Sequence, residues 1–154
     1  MKQKTDGYKL RGEFLIETRN IYTGEVIERE LKKNLIVTAG LVEAIKLLGD
    51  VDTPVAFNAV AIGIGTTGAV AGNTTLESET VREAVVPTYE ATAKILFENT
   101  FEFGSGDSYA ITEAGIFNDE SAGGDMLNRV TFAAKNVTVD IACYVKFTIT
   151  ASTS

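Results

Sequence analysis

Two long segments of the chain alternate apolar and polar residues with a period of two. In residues 91–103, ATAKILFENTFEF, one face collects Ala91, Ala93, Ile95, Phe97, Phe101 and Phe103, and the other collects Thr92, Lys94, Glu98, Thr100 and Glu102. In residues 137–150, VTVDIACYVKFTIT, the apolar face holds Val137, Val139, Ile141, Cys143, Val145, Phe147 and Ile149. Such alternation predicts long antiparallel strands that bury one face and solvate the other. Shorter strands are predicted around them: EFLIETR and EVIEREL as a hairpin across NIYTG, then NLIV, PVAFNAVAIGI, REAVVPTY, YAITEAGIF and MLNRVTF. One segment changes period. In AGLVEAIKLLG, Leu41, Ala44, Ile45 and Leu48 recur at helical spacing, predicting a helix over about 39–48, capped by Thr38, ended by Gly49 and laid with that stripe on the sheet. The pattern predicts an all-β, mainly antiparallel sandwich or barrel of about eight or nine strands with one short covering helix.

Composition narrows the chemistry. The 154 residues are 45% apolar and 23% charged with two prolines, and no internal repeat or linker divides them, so one globular domain is expected. Histidine is absent and cysteine occurs once, at Cys143, which excludes Ser/His/Asp and Cys/His nucleophiles and the common zinc sites. A lone thiol forms no intrachain disulfide, in keeping with folding in a reducing cytoplasm. The opening MKQKTDGYKLRG lacks an apolar leader, and no apolar run approaches the ~20 residues that span a bilayer, so no membrane partner is expected.

The net charge of −7 is uneven. Residues 1–12 hold Lys2, Lys4, Lys9 and Arg11 against Asp6, leaving ten basic and twenty acidic residues in 13–154. The expected organisation is a basic N-terminal arm, 1–12, before a single β domain, 13–154. So acidic a body repels phosphates, and no nucleic-acid partner is expected.

Gly63, Gly65 and Gly68 have the G-x-G-x-x-G spacing of a dinucleotide-binding turn. That turn needs a helix starting within it to offer free N–H groups to a pyrophosphate. The AVAGNTTLESE that follows opposes a helix, so no nucleotide and no other cofactor is expected, and Gly63 and Gly65 read as points of positive φ or close packing. NDESAGGD, with Asp119, Glu120 and Asp125, misses the calcium-loop spacing and reads as a polar hairpin loop without a metal. Cys143 lies in phase with apolar neighbours and reads as core, and nothing singles out two carboxylates for hydrolysis, so no catalytic residue is assigned. ITEAGIFN stands out. Glu113 sits among apolar residues of a strand, where it could accept hydrogen bonds from backbone N–H groups of a neighbouring loop such as 63–68. Gly115 implies close approach of another backbone.

The ordered set KNLIVTAGL, VAIGIGTTGAVAGNTTLESE with Arg82 following, ITEAGIFN, GGDMLNRVTF and a final alternating strand resembles a group of small tailed-phage virion proteins, described as head decoration or tail-fibre proteins. The likeness spans residues 33–150. A related layout resembles the N-terminal attachment domains of contractile-phage tail fibres. The resemblance implies an all-β virion component without enzymatic activity, in which Gly63, Gly65, Glu113, Gly115, Phe117 and Asn118 are architectural signatures. Because the chain stops at TITASTS just after its last strand, the expectation is a stand-alone capsid decoration (cement) protein on the outer capsid surface. Its partner would be the major capsid protein, with Lys2, Lys4, Lys9 and Arg11 reaching a neighbouring subunit. Attachment to tail proteins is the alternative within the virion. A homo-oligomer is expected, a trimer by analogy, with Leu96 and Tyr144 on polar strand faces as contacts. A carbohydrate-binding module is the alternative of another class, with Tyr22 and Tyr109 near turns.

Overall fold

The computed structural model describes residues 7–153, the Tyr8 side chain excepted. Among these residues the elements are β1 (Tyr8–Asn20), β2 (Val26–Ile36), α1 (Thr38–Gly49), β3 (Ala59–Gly63), β4 (Glu79–Ala84), β5 (Thr88–Glu90), β6 (Lys94–Phe101), β7 (Ser108–Phe117), β8 (Met126–Thr138) and β9 (Ile141–Thr153). The strands form one antiparallel sheet in the order β4, β3, β7, β8, β2, β1, β9, β6, β5. A further pairing of β8 with β9 makes the circuit β8, β2, β1, β9 return to its start, so the sheet curls into a barrel-like body. The all-β reading is correct.

The alternating segments supply the core. Phe97, Phe101, Cys143, Val145, Phe147 and Ile149 pack with Phe14, Ile16, Ile111, Ile116 and Phe132. The Phe14 ring lies 4.7 Å from that of Phe147 and 5.1 Å from that of Phe132, joining β1, β8 and β9 through one aromatic cluster.

Several boundaries differ from the periodic reading. β6 begins at Lys94 because Thr92 and Ala93 adopt φ of 71° and 56° in the turn from β5. Residues 137–150 are two strands: Val139 and Asp140 form a two-residue turn, with Thr138 opposite Ile141. Opposed residues share a face, so Thr138 and Ile141, of opposite parity, do so here, and the odd–even count does not carry through the turn. NLIV is no separate strand, since β2 runs on to Ile36 and changes partner from β1 to β8. REAVVPTY divides into β4 and β5, with residues 85–87 carrying the chain from one edge of the sheet to the other.

The arm boundary is also corrected. β1 pairs with β9 from Tyr8 opposite Thr153 onward, so residues 8–12 belong to the sheet, with Lys9 opposite Ser152 and Arg11 opposite Thr150. Lys2 and Lys4 lie outside the described residues.

β2 reverses the usual polarity of a strand. The side chains on the Phe14 side of the sheet are Glu28, Glu30 and Lys32, while Ile27 and Leu31 are exposed on the other. The polar residues bridge to β8, beyond the short stretch where the two backbones pair. Lys32 donates to the Thr131 carbonyl at 2.7 Å, Lys135 pairs with Glu30 at 2.7 Å, and Glu28 accepts from Asn136 N–H at 3.3 Å. Side chains thus continue a seam that two backbone pairs begin.

The helix also faces otherwise than its stripe implies. Gly40 and Glu43 are its buried residues, whereas Leu41, Ile45 and Leu48 are 42%, 53% and 76% exposed. A Cβ on Gly40 would lie 2.6 Å from Leu127 Cα, so this glycine permits the helix to rest directly on the β8 backbone. That contact turns the apolar stripe outward. The cap position is Val37, without a side-chain cap; Thr38 N–H instead donates to the Ala71 carbonyl at 2.9 Å. Asp50, one past Gly49, takes the left-handed conformation that ends the helix.

Candidate functional site

The residues that carry the sequence resemblance converge at the outer face of β3, β7 and β8. All of Ala59–Gly63 is buried, because the core lies on one side of β3 and the chain between β3 and β4 lies over the other. Leu76 of that crossing chain packs with Val37, Ala59, Ala61, Phe117 and Met126.

Glu113 is the centre of this second layer and is fully buried. Its Oε1 accepts from Gly65 N–H at 3.0 Å and Ser78 N–H at 2.7 Å, and its Oε2 from Glu77 N–H at 3.0 Å. The sequence located this acid and its acceptor role towards loop 63–68. It missed Arg129, whose Nε and Nη2 donate to Oε2 at 3.0 and 2.8 Å. The guanidinium also donates to the Thr67 carbonyl at 2.9 Å and to Asn73 Oδ1 at 3.1 Å. A buried ion pair is favourable only when its remaining lone pairs and protons are satisfied, and here the loop backbone satisfies them. The available signal was polarity: Arg129 is the one charged residue in the segment MLNRVTF, as Glu113 is in YAITEAGIF, and each needed the other.

The glycines follow from this carboxylate. A Cβ on Gly65 would lie 2.5 Å from Glu113 Oε1 and one on Gly63 would lie 2.7 Å from it, so both serve close packing, and neither has a positive φ. On Gly115 a Cβ would lie 2.7 Å from the Asn128 carbonyl oxygen. A Cβ on Gly68 would meet no described residue within 4 Å beyond its chain neighbours. Thr112 Oγ1 donates to the Gly65 carbonyl at 2.7 Å, adding a second anchor for the same loop. Thr67 N–H donates to Glu77 at 2.8 Å, and these hydrogen bonds with Thr67 hold the exposed Glu77 carboxyl below its usual range.

Phe117 and Asn118 shape the adjoining hairpin. Arg82 stacks over the Phe117 ring at 3.7 Å and donates to the carbonyls of Asp119 and Gly123 at 2.8 and 2.9 Å. Asn118 Oδ1 accepts from Asp125 N–H at 2.6 Å. Asp119 is occupied within its own turn, accepting from Ser121 N–H at 2.9 Å, which holds its carboxyl low. Among the described residues no group of three or more acids or thiols gathers as a metal would require.

Cys143 is buried, as its phase implies, and burial pushes its thiol up to about 12. Tyr144 is half-buried, donates to Glu98 at 2.6 Å and lies under Arg19 at 4.2 Å; Leu96 is half-buried opposite Thr148. Tyr22 is exposed on the β1–β2 turn, whereas Tyr109 packs at 5.8 Å from Phe103. Lys9 and Arg11 are exposed on β1 beside a cleft, far along the chain from the Glu113 cluster. No helix of the described residues is long and apolar enough to cross a membrane. The chain matches no family model, no curated protein and no solved structure.

Proposed function

We propose that the protein is a structural component of a tailed-phage virion, a capsid decoration protein that binds the outer shell and ties neighbouring capsid subunits together. The observation that supports this most directly is the convergence of Gly63, Gly65, Glu113, Gly115 and Arg129 on one buried cluster. Residues spread over the segments that resemble virion proteins act as a single device, which fixes the long crossing between β3 and β4 onto the sheet. The result is a stiff body with shaped surfaces, suited to work by adhesion. Each copy then need contribute only a few kcal/mol across a subunit boundary, since mass action and repetition over a lattice multiply the effect.

Electron cryomicroscopy of intact particles tests the reading. Copies repeated over the shell at subunit boundaries are the expected result. Copies confined to the tail would transfer the protein to fibre attachment, and particles lacking it would overturn the virion role.

A further inference from the structure

β1 and β2 run side by side only from Gly12, opposite Asn34, onward. Towards the N-terminus β1 stays with β9, while β2 leaves for β8 at Leu35 and Ile36. The two strands part as a fork. Among the described residues no strand pairs with the edges of Lys9–Arg11 and Leu35–Ile36 that face into it.

The fork opens a cleft of about 730 Å3 with Leu10, Leu35, Ile36 and Leu41 as its apolar wall. Among the described residues, Lys9, Arg11 and Lys33 line it against one carboxylate, Glu13. None of the three cations makes an ion pair with a described residue, although Arg19, Arg29, Arg82, Arg129 and Lys135 all do, in a chain of net charge −7. At the apex of the fork the Asn34 side chain lies against Gly12. Both its Oδ1 and Nδ2 are shut away from solvent and have no hydrogen-bond partner among the described residues.

We propose that this fork receives an extended acidic segment of a partner polypeptide, added as a strand beside β1. Main-chain hydrogen bonds to the open edges supply affinity, and side-chain chemistry supplies selection. Side chains two apart on a strand share a face. An incoming Glu-x-Glu therefore sets both carboxylates on the face of Lys9 and Arg11, and turns an apolar residue between them towards Leu10 and Ile36. Lys9 and Arg11 act as the wall of a receiving site in place of a reaching arm. The inference stands on the fork and holds whether or not the chain belongs to a virion.

The test is fluorescence anisotropy at low salt with the full chain and a labelled, end-capped peptide of alternating Glu and Val. The controls are the same peptide with Lys for Glu, and a version with every second amide N-methylated. The expected result is saturable binding of the Glu peptide, weakened tenfold or more in the Lys9→Glu/Arg11→Glu variant. That variant binds the Lys peptide instead, and N-methylation abolishes binding. Circular dichroism confirms that the variant, altered only at exposed positions, stays folded. Three results would overturn the proposal. One is no binding by the unaltered chain. A second is equal binding of the N-methylated peptide and of inorganic polyphosphate, which would make the cleft a general anion patch. The third is self-association that the charge reversal abolishes and the Glu peptide cannot compete with, which would give the fork to a second copy.

Discussion

A methyl group added at Gly65 would press on Glu113 Oε1 and on Glu77 Cβ, each at 2.5 Å, while at Gly68 it would meet no described residue within 4 Å beyond its chain neighbours. Gly65→Ala is expected to cost about 1–3 kcal/mol by overpacking, and Gly68→Ala to stay within about 0.5 kcal/mol, as read from urea midpoints. Removing one partner of the buried pair is harsher. Arg129→Met leaves the Glu113 carboxylate buried without its cation and should cost about 3–5 kcal/mol. The double variant Glu113→Gln/Arg129→Met should cost less than the sum of its parts, which equilibrium unfolding of the four chains would show. Tyr144 gives a test against pH. Burial, and then the hydrogen bond to Glu98, push its hydroxyl from 10.0 up to about 12. A raised folded value means that this stabilisation is full below pH 10 and is lost as pH climbs towards 12. In Glu98→Gln the phenolate absorbance should appear at lower pH but still above that of free tyrosine, because burial is the larger cause.

The helix shows how an element can be recognised and still be mis-seated by its pattern. Its span followed from helical spacing, and Gly49 marked its end to within one residue. Its orientation did not follow, because Gly40 offers no hydrophobic signal, yet it is the residue that touches Leu127. An Ala in a helix interior is ordinarily better than Gly by about 1 kcal/mol. Here Gly40→Ala should instead lower the thermal midpoint, since its Cβ would meet the β8 backbone at 2.6 Å. Ile45→Lys, on the exposed stripe, should leave the same midpoint nearly unchanged, which hydrophobic periodicity alone would not anticipate. β2 has the same lesson in a strand: its charged face looks towards β8, because the seam there needs long polar side chains to close it.

Across the body, the first and last strands are hydrogen-bonded along their full lengths, with Tyr8 opposite Thr153 and Asn20 opposite Ile141. Deleting residues 2–11 therefore strips Tyr8–Arg11 from the sheet. The expected loss is on the order of 2–4 kcal/mol from the severed ladder, seen as a lower denaturant midpoint. A test of the proposed capsid binding with that deletion therefore has to be made at equal folded fraction. Lys9→Glu/Arg11→Glu isolates the charges without removing the strand.

Alternation is a property of neighbours in the chain, which is why residues 94–101 and 141–149 could be read as strands before any partner was known. The same local logic marked Glu113 as an acid out of place and rejected a nucleotide turn at Gly63, since no helix could follow it. Pairing is decided elsewhere. That β2 abandons β1 for β8, that Arg129 meets Glu113, and that the helix rests on a glycine depend on contacts between distant segments. Geometry selects among many arrangements of equal local hydrophobicity, and one close backbone approach or one satisfied charge outweighs the stripe printed along the chain.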